Sequence, residues 1–390
     1  MSLDILETVR VCLAGPSWWA DYWHLPAIQN HPDAEIVGVC GEKSRDAAAV
    51  RAKYGETARY FTDMDVMLDA TKPDGLIVCT PNDLHYPATM AALTRGIHVV
   101  CEKPIAMNAN QAREMAETAK KSGLLGLSNF TYRGNPALQQ MQKMVAAGFV
   151  GTPLHLSGVY YGGYAIGRPP GWRGNRERSG SGILGDLGSH LIDMARFVTG
   201  QEFAAVCAHN LTALWNENPD LPPRLVRTEA PETAPRNDDS CAFLAEFTSG
   251  MQGIFHTSWI ATMGAENQRQ QLELYGTKGR LRFYASFLGT TLESMEVGAE
   301  QWETVPVPGI TRPDEGKGAG EDFFRPGRLN ATNNVYRWLD AIQSGKREIS
   351  PSLTDGWRTQ QVIDAVLTAS AERRWTDVEE NRQDEQDFSG

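Results

Sequence analysis

Lys103 stands between Glu102 and Pro104, at the end of the apolar run His98-Val99-Val100-Cys101. Open α/β sheets bind ligands beyond the carboxyl ends of their strands, so a side chain there faces a crevice. Pro104 restricts the Lys103 backbone to an extended conformation, which sets where the ammonium points. An ammonium so placed can hydrogen-bond a reacting hydroxyl and lower its pKa electrostatically. Asp186 and His190 lie four residues apart where an apolar-periodic helix begins, and that spacing puts both on one face. A histidine near neutral pKa can take a hydroxyl proton as hydride leaves the same carbon. A nearby aspartate can orient the imidazole or hold a second hydroxyl. The ordinary alternatives are a surface lysine and a histidine satisfied within its own helix.

A second set of residues suits a dinucleotide. Gly15-Pro16-Ser17-Trp18-Trp19-Ala20 follows the first apolar strand, where a G-x-G-x-x-G/A loop is expected. Gly15 supplies the tight turn, Ser17 is a small residue where backbone must approach a pyrophosphate, and Ala20 permits close helix–strand packing. Trp18 and Trp19 can pack over the pyrophosphate or wall a substrate pocket. An acid is expected to end the second strand and take the adenosine ribose hydroxyls. Gly41 holds that place and Glu42 comes one residue late. Lys43, Ser44 and Arg45 can instead receive a 2′-phosphate, or form a solvated turn with Ser44 as helix N-cap. NAD is the first expectation for the cofactor and NADP the second.

The elements that must position these groups alternate over the first 130 residues. Strands are expected at Val9 to Ala14, Glu35 to Cys40, Gly75 to Thr80, Gly96 to Cys101 and Leu124 to Ser128, with helices from Ser44, Met64, His85 and Asn108. Buried strands alternating with amphipathic helices predict a doubly wound parallel sheet. Beyond Asn129 the period changes to two residues, as in Ala242 to Phe247 and Arg280 to Ala285, which predicts an α+β domain with a mostly antiparallel sheet. The expected division is a dinucleotide-binding domain over 1–130, a substrate-binding and oligomerisation domain over 131–376, and an acidic tail over 377–390. Asn216 to Arg236 reads as a long surface loop.

With 390 residues, the chain is long enough for two cores, and 41% hydrophobic with 22% charged residues is a globular composition. The net charge of −11 and the lack of a basic stretch argue against nucleic acid and anionic membranes as partners. No apolar run reaches the roughly 18 residues of a membrane span. Four of the six cysteines lie in apolar runs and none forms a C-x-x-C pair, which predicts buried reduced thiols in a cytoplasmic protein. His24, His31, His98, His155, His209 and His256 show no metal-type spacing, so no metal is expected.

Longer motifs add a resemblance. Thr80-Pro81-Asn82-Asp83-Leu84-His85, Gly96-Ile97-His98-Val99-Val100-Cys101-Glu102-Lys103-Pro104, Trp172-Arg173, Gly182 to Asp193, Tyr275-Gly276-Thr277-Lys278-Gly279 and Asp355-Gly356 resemble the signatures of the Gfo/Idh/MocA oxidoreductases. They span most of the chain in that family's order. The resemblance implies an N-terminal Rossmann domain and a C-terminal α+β domain with a large open-faced sheet, often used to form a homodimer or homotetramer.

The resemblance also implies roles. Lys103, Asp186 and His190 match the family's catalytic lysine, aspartate and histidine, and all three would touch substrate. Thr80, Asn82, His85, Glu102 and Lys103 would line the cofactor, with Trp172 and Arg173 reaching towards nicotinamide or diphosphate. Aromatic and amide groups suit sugar rings, so Tyr132, Arg133, Tyr160, Tyr161, Tyr164 and Asn267 are candidate substrate contacts, with Tyr132, Arg133 and Tyr161 put forward. The expected activity is hydride transfer between a secondary hydroxyl of a sugar, sugar derivative or cyclic polyol and NAD(P). One alternative is a glycosidase of the same family that oxidises the sugar transiently, eliminates, hydrates and re-reduces. Another is a non-catalytic cofactor-binding sensor.

Overall fold

The computed structural model describes residues 7–166, 171–212, 237–308, 310 and 333–378. Asn216 to Arg236 and residues 379–390 lie outside the described residues.

The first sheet is built from β1 (Val9–Ala14), β2 (Ala34–Cys40), β3 (Arg59–Phe61), β4 (Gly75–Val78), β5 (His98–Cys101) and β6 (Gly126–Ser128), in the order β3-β2-β1-β4-β5-β6. All its pairings are parallel. β4 is buried along its whole length, as helices on both faces require. β3 adds one strand to those expected. It has three residues and a partly exposed edge position, too short to show a period. Strand order reverses between β1 and β4, and that switch point opens a crevice at the carboxyl ends.

The second sheet contains β7 (Pro153–Gly162), β8 (Phe203–Leu211), β9 (Ser240–Phe247), β10 (Gln252–Ser258), β11 (Gln268–Gly276), β12 (Gly279–Ser286), β13 (Gly289–Glu296), β14 (Glu303–Thr304) and β15 (Thr376–Asp377). Their order is β14-β13-β12-β11-β7-β10-β9-β8-β15, and β7 with β10 is the parallel pair. Along β9, Phe243, Ala245 and Phe247 are buried while Leu244 is exposed, the two-residue period of a sheet covered on one face. Asp377 closes edge strand β15, so ordered structure continues into the segment expected to be tail.

The C-terminal helices return to the first domain. Asn334–Gln343 sends Trp338 against Gly75, where a Cβ would meet the indole at 2.3 Å. Leu353 fills the space beside Gly126 in the same way, at 2.5 Å. Farther along Leu353–Glu372, Val362, Val366 and Ala369 join the core of the second domain. That helix ties the two layers together, which a division by sequence order does not show. Among the described residues no helix is long and apolar enough to cross a membrane.

Candidate active site

The crevice at the switch point continues into a cleft of about 1240 Å³ between the two domains. The end beside β1 begins at Gly15, whose φ of +85° is a left-handed conformation that favours glycine. A Cβ there would meet the Cys79 carbonyl oxygen at 2.5 Å. Ser17 Oγ accepts from Ala20 N–H at 3.2 Å, so its side chain caps the following turn. Thr80 Oγ1 is buried in the cleft wall without a hydrogen-bond partner among the described residues. A glycine turn kept clear of side chains, with an unpaired hydroxyl beside it, fits a dinucleotide phosphate.

Glu42, Lys43 and Arg45 line the same end, but Ser44 does not. Nor does Ser44 cap a helix. The helix begins at Ala47, and Asp46 Oδ1 accepts from Ala49 N–H at 2.9 Å. Asn82 lies in the wall with its amide committed to the Ser179 carbonyl at 2.9 Å. His85 is buried between the carbonyls of Pro104 and Thr80, at 2.8 and 2.9 Å. It braces two of the motifs against each other. Burial lowers its pKa despite those acceptors.

Glu102 gathers its neighbours. Oε1 accepts from Trp19 Nε1 at 2.7 Å and from Asn129 Nδ2 at 2.7 Å, and lies 2.8 Å from His24 Nε2. Burial raises its pKa, but the bond to His24, its charge and the Asn129 amide overcome that and hold the carboxyl at about 2. Trp19 is thereby fixed under the lysine strand, stacked on Trp23, while Trp18 is 69% exposed at the cleft rim. Because its pKa is depressed below the ordinary 4.5, ionised Glu102 stabilises the fold by up to about 3 kcal/mol above pH 4.5. That contribution is lost as pH falls from 4.5 through about 2. Urea melts should therefore show Glu102→Gln less stable than wild type at pH 7, with the gap closing on acidification. An equal gap at pH 7 and pH 3 would contradict the role.

Lys103 and Asp186 meet across the domain boundary. Lys103 Nζ donates to the Asp186 backbone carbonyl at 2.5 Å and to Oδ1 at 2.9 Å. Arg173 Nε stands 3.4 Å from the same Oδ1, and the Tyr164 hydroxyl donates to Oδ2. Burial opposes the charge on Asp186, but Lys103 and Arg173 outweigh it, so its pKa falls far below the usual carboxylate range. Asp186 sits in a turn of π-helix, Leu184–Gly188, that leads into the helix Ser189–Thr199 carrying His190. Arg173 also lies over Trp172, its Cζ 4.4 Å from the ring centroid, and both line the cleft.

His190 is 7% exposed and lines the cleft, but Asp186 does not orient it. The carboxylate is taken by Lys103, Arg173 and Tyr164, and His190 Nδ1 has no hydrogen-bond partner among the described residues. Aromatic rings hold the imidazole instead. Tyr132 stands edge-on at 5.0 Å, with Tyr160 at 6.1 Å and Phe130 at 6.2 Å. Burial, reinforced by the Lys103 charge, lowers its pKa well below 6.5.

Two expected substrate contacts point elsewhere. Arg133 is buried against Asp193, with Nη2 2.6 Å from Oδ1 and Nε 2.9 Å from Oδ2, and Nη2 also donates to Asp355 at 2.9 Å. Its position is structural, because the buried Asp193 and the half-buried Asp355 both need the guanidinium. Arg133→Leu should cost about 3–5 kcal/mol in a denaturant melt, with KM of the folded fraction within about twofold of wild type. A large KM change without lost stability would restore it to the substrate.

Tyr161 lies on the opposite face of β7 from the cleft, its hydroxyl 2.9 Å from His256 Nδ1. Tyr160 faces inward and donates to Gln268 Oε1 at 3.2 Å, with the Tyr132 hydroxyl 2.6 Å away. Alternation from buried Leu156 is the signal that separates Tyr160 from Tyr161. Tyr132, Tyr164, Trp259, Asn267, Gln268 and Phe287 complete this end of the cleft. Trp259 directly follows β10 and Phe287 lies in the turn between β12 and β13, and neither carried a motif.

Comparisons with known proteins agree with this geometry. Residues 9–130 match the oxidoreductase family with an NAD-binding Rossmann fold, and residues 138–282 match the GFO/IDH/MocA C-terminal domain. The chain is 38% identical to D-glucoside 3-dehydrogenase of Escherichia coli (strain K12) over 211 residues, 52% of this chain and 56% of that enzyme. The chain thus spans little more than half the length of that relative. It is 27% identical to levoglucosan dehydrogenase of Pseudarthrobacter phenanthrenivorans over 92% of both chains. A levoglucosan dehydrogenase solved in complex with NADH superposes with a TM-score of 0.78 at 25% identity, over 96% of this chain and all of that one. An oxidoreductase domain protein from Kribbella flavida superposes with a TM-score of 0.77 at 30% identity, over 96% of this chain and 100% of that one. A Rossmann sheet, a second domain with an open antiparallel sheet and a lysine–aspartate–histidine cluster between them thus accompany matches in both halves: the chain belongs to the Gfo/Idh/MocA family of oxidoreductases.

Proposed function

We propose that the protein is an NAD-dependent dehydrogenase that oxidises a secondary hydroxyl of a sugar, sugar derivative or cyclic polyol. The carrying observation is that Lys103 and His190 stand in one cleft whose other end is the Gly15 turn. Two of the three Lys103 N–H donors are fixed on Asp186, which leaves one for a substrate oxygen. That donor stabilises the alkoxide as it develops. His190, kept neutral by burial, accepts the hydroxyl proton. Asp186 holds the ammonium in place, and Tyr132, Tyr160 and Gln268 offer hydrogen bonds to the remaining hydroxyls of the ring. When bound, the nicotinamide supplies the hydride-accepting carbon.

NAD is favoured by the levoglucosan dehydrogenase complex with NADH. The relatives named for glucosides, levoglucosan and inositol support a carbohydrate substrate. Exposed Ile254 and Leu244 face each other across β10 and β9 on the open side of the second sheet, a surface suited to a homodimer or homotetramer. Six free thiols accord with work in the cytoplasm. The test is absorbance at 340 nm with NAD and NADP separately, over a panel of sugars, anhydrosugars, inositols and aryl glycosides, with aglycone release followed in parallel. Stoichiometric NADH formation with one substrate is expected. Aglycone release that needs cofactor but yields no net reduction would replace the dehydrogenase with a redox glycosidase.

A further inference from the structure

We infer that the Tyr60 hydroxyl, rather than a strand-end acid, reads the adenosine ribose in this chain, and that Arg45 beside it admits a 2′-phosphate. This rests on the dinucleotide-binding function proposed above.

The position after β2 where a ribose-binding acid is expected holds Gly41, and a side chain there would collide with Tyr60 as it stands. A Cβ on Gly41 would meet the Tyr60 hydroxyl oxygen at 2.3 Å and Pro16 carbons at 3.0 and 3.1 Å. The phenol therefore fills the space an acid would use, between the end of β2 and the loop that follows β1. That is where the adenosine ribose lies in a fold of this type. Tyr60 comes from β3, the short edge strand, and is held half-buried with its ring against the first core. Its hydroxyl has no hydrogen-bond partner among the described residues, and Tyr60 lines the cleft with Gly41, Glu42, Lys43 and Arg45. The Arg45 guanidinium lies over the Tyr60 ring, 5.6 Å from its centroid.

The two devices differ in what they exclude. A strand-end carboxylate binds both ribose hydroxyls and repels a 2′-phosphate by charge. A phenol donates or accepts one hydrogen bond and repels nothing. Of the charged turn residues that line the cleft, two are cations, Lys43 and Arg45, and one is a carboxylate, Glu42. A cofactor site so built binds the phosphorylated and unphosphorylated dinucleotides with similar affinity.

Equilibrium titration of the purified protein with NADH and with NADPH, followed by quenching of tryptophan fluorescence, tests this without turnover. Wild type is expected to bind both, with dissociation constants within about tenfold of each other. Tyr60→Phe, which keeps the ring and loses the hydroxyl, should weaken NADH roughly three- to tenfold. Arg45→Ala should weaken NADPH by about tenfold or more and NADH by less than about twofold. Gly41→Asp should lose NADH affinity alone and regain it, with NADPH now rejected, when combined with Tyr60→Ala. Unchanged NADH affinity in Tyr60→Phe, with wild type binding normally, overturns the inference and leaves the dehydrogenase reading intact. Failure of wild type to bind either dinucleotide overturns both.

Discussion

Lys103→Met is expected to lower kcat by about 10³–10⁴-fold while leaving the dissociation constant for NADH within about threefold of wild type. The reason is geometric. Lys103 holds Asp186 through two of its N–H donors, and in the proposed reaction the third serves the reacting oxygen. A cation fixed in a low-dielectric cleft is worth far more to a developing alkoxide than to a neutral hydroxyl, so its loss falls on kcat. Removing it also leaves Asp186 with Arg173 and Tyr164 alone, so the variant loses stability as well. Lys103→Arg separates the two effects. It keeps a charge for Asp186, but a planar guanidinium cannot reproduce the ammonium's position, so folding should be retained and turnover still lost. Steady-state kinetics beside thermal melts read both. Near wild-type kcat in a folded Lys103→Met protein would remove Lys103 from the chemistry.

The second large effect concerns His190. His190→Asn should lower kcat in the oxidative direction by about 10²–10⁴-fold, with KM changed little. The pH dependence gives it a sign. Oxidation needs neutral imidazole, so activity falls on the acid side as His190 protonates. Burial and the Lys103 charge lower its pKa well below 6.5, so the acid limb of kcat/KM lies below that value. In the reductive direction the protonated imidazole is needed, so activity falls as pH rises through the same low pKa. Residual turnover in Lys103→Met should show the oxidative limb moved upward, because a repelling cation has gone. In His190→Asn the limb should vanish. A limb that persists unchanged in His190→Asn would assign it to another group and sink the role given to the imidazole.

The aromatic cage around His190 also changes what holds the imidazole. Spacing alone predicts an aspartate that orients the imidazole, since positions four apart share a helix face. Asp186 lies in a π-helical turn, and its carboxylate faces Lys103 and Arg173. Tyr132, Tyr160 and Phe130 come from other segments and hold the ring by shape. Rings of that kind leave no signature beyond being aromatic, and most aromatic residues serve cores.

Much of this protein is legible in its residues. Apolar strand runs alternating with amphipathic helices specify the parallel sheet, because burial on both faces demands continuous apolar strands. The two-residue period of Ala242 to Phe247 specifies a sheet covered on one side, and motif chemistry points to Lys103, Asp186 and His190. Local pattern reaches no further than that. Whether Arg133 meets substrate or Asp193 depends on partners brought from far along the chain. The same holds for Tyr60, whose hydroxyl occupies the space above Gly41 only because β3 pairs with β2. It holds too for Trp338 and Leu353, which enter the first domain because Gly75 and Gly126 leave room for them. Sequence by itself determined the layers and the chemistry-bearing motifs, since periodicity and short-range sterics are local. Tertiary structure alone decided which charges pair, which rings hold His190 and what stands above Gly41, since those depend on burial and on contacts between distant segments.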